Sequence, residues 1–304
     1  MLKYLSFWVL FHTLGLLPLR LLYPIASFAG ALGHRLASGA RRNVEDNLRH
    51  VMPEGTPDAE VSRAAKHVFQ NIALYYADLA HLPRMDVQQF FDKRLKVFGL
   101  QEYLLPAVKE GNGVIVLSGH MGNPELAVQG LIPVGVKAVA LTEPQDPPQL
   151  SRMMDRYRRS KGHMFGPVNM ANVKLVLHTL KRGGVVALMG DRDIHGPKQR
   201  LPFFGTETLM PTGPIEVALK TGATVITCFT RRRDKYCIEA TLEEPLPLER
   251  TGDFQEDVRR GALAFLERME RRLKADPGQW AVLESIWDTA HEMPAVPAPV
   301  GGQH

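Results

Sequence analysis

Val114-Ile115-Val116-Leu117-Ser118-Gly119-His120-Met121-Gly122-Asn123-Pro124-Glu125 is the stretch whose reading decides the fold. Its first five residues are a short apolar run, the pattern of a strand buried on both faces in a parallel sheet. Asn123-Pro124 starts a helix carrying Leu126, Ala127 and Leu131, since proline suits the first helical position. His120 is thus placed just beyond the carboxyl end of a buried strand, where open α/β sheets bind their ligands. The nearby glycines, Gly119 and Gly122, let backbone approach a substrate closely.

The alternation continues outward. Strands are predicted at 138–142, 185–189, 224–230 and 236–242, the last as a hairpin partner. Helices are predicted at 150–161, 172–181, 213–220 and 254–274. The pattern implies an α/β fold, a mostly parallel sheet with helices on both faces. Upstream, residues 34–50 read as a basic amphipathic helix. Another helix follows to Leu82, with Thr56 as its expected N-cap and Pro57 at its first position. The chain divides into a membrane-associating helical segment at 1–50, an α/β domain at 51–292 and a flexible tail at 293–304.

Composition narrows the class. The 304 residues are 45% hydrophobic and 23% charged, which excludes a disordered, collagenous or coiled-coil protein. Two cysteines, Cys228 and Cys237, exclude a disulfide-rich scaffold and a four-cysteine zinc site. Net charge is 37 − 32 = +5. Residues 1–50 hold six basic and two acidic groups, so they carry +4 and the remainder +1. The excess lies beside the most apolar part of the chain, which favours an anionic membrane surface over nucleic acid. The run Arg231-Arg232-Arg233 has no interleaved aromatics and does not change that reading.

Residues 4–19 are uncharged, shorter than the roughly 20 that a simple span needs. Pro18 and Pro24 are expected to bend or break any helix there. The favoured reading is a monotopic anchor of two short helices, with Phe7, Trp8, Phe11 and Tyr23 toward lipid. A cleaved signal peptide and a single span through Arg20 are the alternatives.

For chemistry, His120 in the turn and Glu125 in the following helical turn can meet side by side. A carboxylate holding one imidazole nitrogen leaves the other free as a general base. Glu125 also suits a helix start on electrostatic grounds alone. Gly119, Gly122 and the helix start are candidate donors to an oxyanion. Asp191-Arg192-Asp193 follows the 185–189 strand, where Arg192 could meet an acceptor headgroup or brace Glu125. That Asp-x-Asp could instead hold a hard cation for glycosyl transfer. Arg156, Arg158 and Arg159 crowd the helix before Gly162. Phe203-Phe204-Gly205 reads as core and turn. His163, His178 and His195 match no zinc spacing, and no metal is expected. No Gly-x-Ser-x-Gly elbow is present.

His120-x4-Glu125 resembles the His-x4-Asp/Glu signature of glycerolipid and lipid A acyltransferases. The blocks Gly190-Asp191-Arg192-Asp193, Leu201-Pro202-Phe203-Phe204-Gly205, Met210-Pro211-Thr212-Gly213-Pro214 and Thr221-Gly222-Ala223 extend the likeness. So do Arg41-Arg42-Asn43, Asn47-Leu48 and Pro277-Gly278-Gln279-Trp280 with Trp287. Together they resemble the bacterial lipid A lauroyl/myristoyl acyltransferase family, which includes phosphatidylinositol mannoside acyltransferases. Ile286 stands where lipid A enzymes commonly carry a basic residue, and the Asp191 and Met210 blocks look closer to the mannoside branch.

The resemblance implies O-acyl transfer to a hydroxyl of a membrane (glyco)lipid at the cytoplasmic face. The donor it implies is acyl-CoA or an acyl carrier protein thioester, with no bound cofactor. It implies His120 as base, Glu125 orienting it, and Arg159 with Asp191-Arg192-Asp193 as substrate contacts. It makes Phe203-Phe204-Gly205 a wall of the acceptor or acyl site. A hydrophobic groove is expected to run from His120 toward the N-terminal anchor. A metal-dependent glycosyltransferase and a non-catalytic lipid-binding protein are the alternatives.

Overall fold

The computed structural model describes residues 2–192 and 196–287. Asp193, His195 and the tail expected at 293–304 lie outside the described residues. The chain opens with α1 (Leu2–Leu14), α2 (Leu19–Leu36), α3 (Ser38–Val51) and α4 (Asp58–His81). Helix α2 runs through Pro24 without a break, contrary to expectation. Tertiary packing compensates for the missing hydrogen bond. Leu22, Tyr23 and Ala26 bury against Leu74 and Ala77 of α4. At Gly30 an added Cβ would sit 2.6 Å from Gln70 Cα. The start of α4 also differs from the sequence reading. Pro57, not Thr56, occupies its N-cap position, and Thr56 donates to the Pro53 carbonyl at 2.6 Å. Asp58 and Glu60 instead bring negative charge to the first turn.

The α/β part comprises α5 (Val87–Arg94), β1 (Leu95–Phe98), α6 (Leu105–Glu110), β2 (Val114–Ser118), α7 (Pro124–Ala127) and β3 (Ala138–Thr142). It continues with α8 (Pro148–Arg158), β4 (Met164–Pro167), α9 (Met170–Lys181), β5 (Val185–Met189), β6 (Lys198–Phe203) and β7 (Thr206–Pro211). It ends with α10 (Gly213–Thr221), β8 (Thr224–Arg232), β9 (Ile238–Pro245) and α11 (Phe254–Ala275). Seven strands form one sheet in the order β1-β9-β8-β2-β5-β3-β4. Every neighbouring pair is parallel except the β8–β9 hairpin. Strands β6 and β7 make a separate antiparallel hairpin.

Period-two alternation divides the sheet residues between two layers. Ile115, Leu117, Val139, Val186 and Val225 join a core built with Val176, Ile215, Phe265 and Met269 of α9, α10 and α11. Val114, Ala138, Val185 and Leu242 face the other layer, with Leu100, Leu104 and Leu131. The second face carries small side chains where the strands are central: Val116, Ala140, Ala187 and Ala240. That choice leaves room above the sheet, and the room becomes the site.

No described helix is long and apolar enough to cross a membrane. The outer faces of α1 and α2 nevertheless expose Trp8, Val9, Leu10, Leu21, Ile25 and Phe28, the last at 72%.

Candidate active site

Strands β2 and β5 pair in register, Ser118 opposite Met189. The turn after each strand therefore ends at the same level. His120 leaves β2 and Asp191 leaves β5, and the two side chains meet there. His120 Nδ1 lies 2.7 Å from Asp191 Oδ1, and the His120 backbone N–H donates to Asp191 Oδ2 at 2.8 Å. Trp280 Nε1 donates to the same Oδ2 at 3.0 Å. Asp191 is wholly buried, whereas the His120 side chain stays 31% exposed toward the cavity.

Burial alone would push the Asp191 carboxyl up. The His120 charge and these three donors outweigh burial and hold it below the usual carboxylate range. Burial likewise depresses His120, but the Asp191 charge and hydrogen bond win and raise it above the ordinary imidazole value. Asp191 fixes Nδ1, so Nε2 is the nitrogen left for chemistry.

The expected pairing of His120 with Glu125 is therefore replaced by His120 with Asp191. Glu125 Oε2 accepts instead from Arg158 Nε at 2.7 Å. Arg158 also donates to Tyr75 Oη at 3.1 Å and Asp155 Oδ1 at 3.2 Å. Burial opposes the Arg158 charge, yet Glu125 and Tyr75 hold its pKa well above the ordinary guanidinium value. The Tyr75 hydroxyl is driven well up by burial first and Glu125 second. The physical reason for the rearrangement is length and direction. Residue 125 is one position into a four-residue helix that points its side chain toward α8 and α4, not back over the turn.

The turn between the two acidic groups is clamped on all sides. Gly122 adopts φ +65° and a Cβ there would lie 2.6 Å from the Thr230 carbonyl oxygen, so only glycine fits. Its N–H donates to the Gln279 carbonyl at 2.9 Å, which removes Gly122 as an oxyanion donor. Asn123 caps α7 by accepting from the Leu126 N–H at 2.9 Å. The Asn123 amide donates to buried Asp78 Oδ2 at 2.8 Å, and Asp78 also pairs with Arg232 and with the Tyr23 hydroxyl. The Ala281 N–H donates to the His120 carbonyl at 2.7 Å. Gly119 packs under the turn, where an added Cβ would lie 2.9 Å from Met269 Cε.

The other sequence-derived candidates separate. Arg192 lines the cavity and donates to Glu143 at 2.7 Å, with Glu284 at 3.4 Å. It does not brace Glu125; Arg158 does. Arg159 turns away from His120, and its Nε donates to the Phe165 carbonyl. Phe203 is fully buried and stacks on Trp287 at 5.3 Å, while Phe204 and Gly205 form the β6–β7 turn with φ of 52° and 75°. That block is core and turn and does not line the cavity. Tyr75 and Asp78 are neighbours of the site that the sequence reading did not single out, and it placed neither Arg158 beside Glu125 nor Trp280 beside Asp191. The one available signal was Asp78, the sole acidic residue between Glu60 and Asp86 and the only charged one in the apolar run 72–80.

A cavity of about 390 Å³ opens at His120, within the roughly 300–1,000 Å³ range of ligand sites. Ser118, His120, Glu125, Arg158 and Arg192 give it a polar mouth. Inward it is apolar, passing Val116, Ala187 and Ala240 to Leu100, Leu104 and Leu242. The groove expected to lead toward the N-terminal anchor runs along this small-side-chain face of the sheet instead, since no described residue of α1 or α2 lines the cavity. No group of three or more His, Cys, Asp or Glu gathers to hold a metal among the described residues.

The site is thus an apolar cavity with an oriented imidazole at its mouth. Residues 1–289 match the family model described as bacterial lipid A biosynthesis acyltransferase, which makes the chain an acyltransferase. The protein belongs to that family. It is similar to a phosphatidylinositol mannoside acyltransferase of Mycobacterium tuberculosis (strain CDC 1551 / Oshkosh), 24% identical over 82% of this chain and 78% of that one. It is also similar to a phosphatidylinositol mannoside acyltransferase of Mycolicibacterium smegmatis, 27% identical over 66% of this chain and 67% of that one. Membership of this family displaces the glycosyltransferase and non-catalytic readings.

Proposed function

We propose that the protein transfers a fatty acyl chain from a thioester, acyl-CoA or an acyl carrier protein thioester, to a hydroxyl of a membrane glycolipid. One observation carries the reading. The Nδ1 of His120 is held by buried Asp191 at the mouth of an apolar cavity, leaving Nε2 facing the space where a thioester carbonyl would lie. The acceptor hydroxyl gives its proton to Nε2 as its oxygen attacks the thioester carbonyl. Collapse of the tetrahedral intermediate breaks the C–S bond, and His120 returns the proton to the leaving thiolate. No acyl-enzyme forms.

Asp191 takes the orienting role that the sequence assigns to Glu125. Glu125 and Arg158 act as a fixed ion pair that shapes the polar mouth. The acyl chain occupies the apolar interior, where each buried methylene contributes about 0.8 kcal/mol. Leu100, Leu104 and Leu242 bound the deep end and limit chain length. The names of the relatives support a mannosylated phosphoinositide as the acceptor.

The protein sits peripherally on the cytoplasmic face of the membrane. The exposed apolar faces of α1 and α2, with Arg20, Arg35, Arg41 and Arg42 nearby, support that placement. Acyl transfer from radiolabelled acyl-CoA and acyl carrier protein to purified mannosylated phosphoinositides and lipid A precursors tests the reading. It predicts a labelled lipid with wild type and none with His120→Ala. A folded wild type that labels no lipid from either donor contradicts it.

A further inference from the structure

A second hollow lies beside the catalytic cavity and takes no part in the mechanism above. It is a more open groove of about 730 Å³ along α8. Arg152, Arg156 and Arg159 line it, together with Ser151 and Ser160. Spacings of four and three residues put the three arginines on one helical face. All three are exposed. Among the described residues no carboxylate pairs with Arg152 or Arg156, although this chain pairs most of its other cavity-facing charges. Arg159 is held in place by the Phe165 carbonyl rather than by an acid. The one acidic lining residue, Asp155, is already engaged by Arg158 and Thr142, both at 3.2 Å. The groove therefore presents a concentrated positive charge without a counter-charge of its own. Arginines in such an arrangement suit the oxygens of phosphate esters.

Gln145 lines both hollows. A ligand whose reactive end lies at His120 can therefore extend past Gln145 into the arginine groove. We propose that this groove binds the phosphate-bearing handle of the acyl donor, the phosphorylated pantetheine common to coenzyme A and to a charged carrier protein. This rests on the thioester reading above. It places the acyl chain in the apolar cavity against the sheet, the thioester carbonyl at His120, and the phosphates along α8.

The test is a donor comparison in the full-length protein. KM is measured for acyl-CoA, for acyl carrier protein thioester, and for an acyl thioester of N-acetylcysteamine, which has no phosphate. Binding of coenzyme A is measured in parallel by calorimetry, which needs no turnover. Replacing Arg152 and Arg156 together by alanine raises KM for the phosphorylated donors, and the Kd of coenzyme A, about tenfold, the scale of two exposed charge contacts. The phosphate-free thioester gains no such penalty. A rise with acyl-CoA alone identifies the nucleotide phosphates as the occupant. An equal rise with both phosphorylated donors identifies the shared pantetheine phosphate.

The proposal is overturned if the double variant binds coenzyme A as tightly as wild type. It is also overturned if only the KM of the lipid acceptor rises, which would make the groove a headgroup site. A wild type that labels lipid from some non-thioester donor and binds no coenzyme A removes the thioester reading itself, and the groove proposal with it.

Discussion

Two ion pairs flank the mouth of the cavity, and they are built differently. His120–Asp191 hangs from the ends of two adjacent parallel strands, so sheet register alone brings the partners together. Glu125–Arg158 is assembled from two helices, α7 and α8, with Tyr75 from a third. The first pair contains an imidazole, a group that can take up and return a proton, and keeps one side exposed. The second contains an arginine that stays charged and is only 9% exposed. A proton-transfer group must titrate and must reach substrate; a shaping group must do neither. In the proposed mechanism the strand-borne pair carries the proton chemistry and the helix-borne pair the fixed electrostatics.

The sharpest way to break this contrast is His120→Ala. It removes the base, and kcat falls about 10²- to 10⁴-fold with the fold intact by circular dichroism. Asp191→Asn comes next. Losing a charged hydrogen bond of about 1.5–3 kcal/mol lowers kcat roughly 10- to 10²-fold. Its pH signature matters more. With Asp191 the His120 pKa is raised, so activity falls as pH drops through that raised value. Without it the burial effect remains and lowers the pKa, so the acid limb of the rate profile moves to lower pH.

The helix-borne pair breaks in another way. Arg158→Met leaves Glu125 without its partner and costs stability of about 3–5 kcal/mol, read from urea unfolding. Adding Glu125→Gln to that variant restores part of the loss, because Glu125 no longer carries an unpaired charge; the rest remains because Asp155 has also lost Arg158. The smallest effect is expected for Trp280→Phe, which removes one of three donors to Asp191 and lowers kcat about tenfold or less. A Trp280→Phe enzyme with unchanged kcat would mean that the two His120 bonds alone suffice to hold Asp191.

The central strands and the position of His120 were legible because a buried parallel strand has a strong local signal. The apolar runs ending at Ser118 and Met189 match β2 and β5 residue for residue. Strands β1 and β4 escaped because four residues at the edges of a sheet carry little pattern. Strands β6 and β7 escaped because their alternation is interrupted by Pro202 and by charged residues. The partner of His120 was illegible for a different reason. Spacing along the chain favoured Glu125, five residues away, but Asp191 is 71 residues away and adjacent only through β2–β5 pairing. The course of the groove was equally hidden, since Ala140, Ala187 and Ala240 are unremarkable in sequence until the sheet lines them up on one face.

The central claim is that Asp191, not Glu125, sets the proton affinity of His120. The pH dependence of kcat for wild type, Asp191→Asn and Glu125→Gln, measured side by side, tests it directly. The account predicts that the acid limb moves down clearly in Asp191→Asn and much less in Glu125→Gln, where the carboxylate is the weakest of the influences on His120. A large shift in Glu125→Gln with an unmoved limb in Asp191→Asn would contradict it.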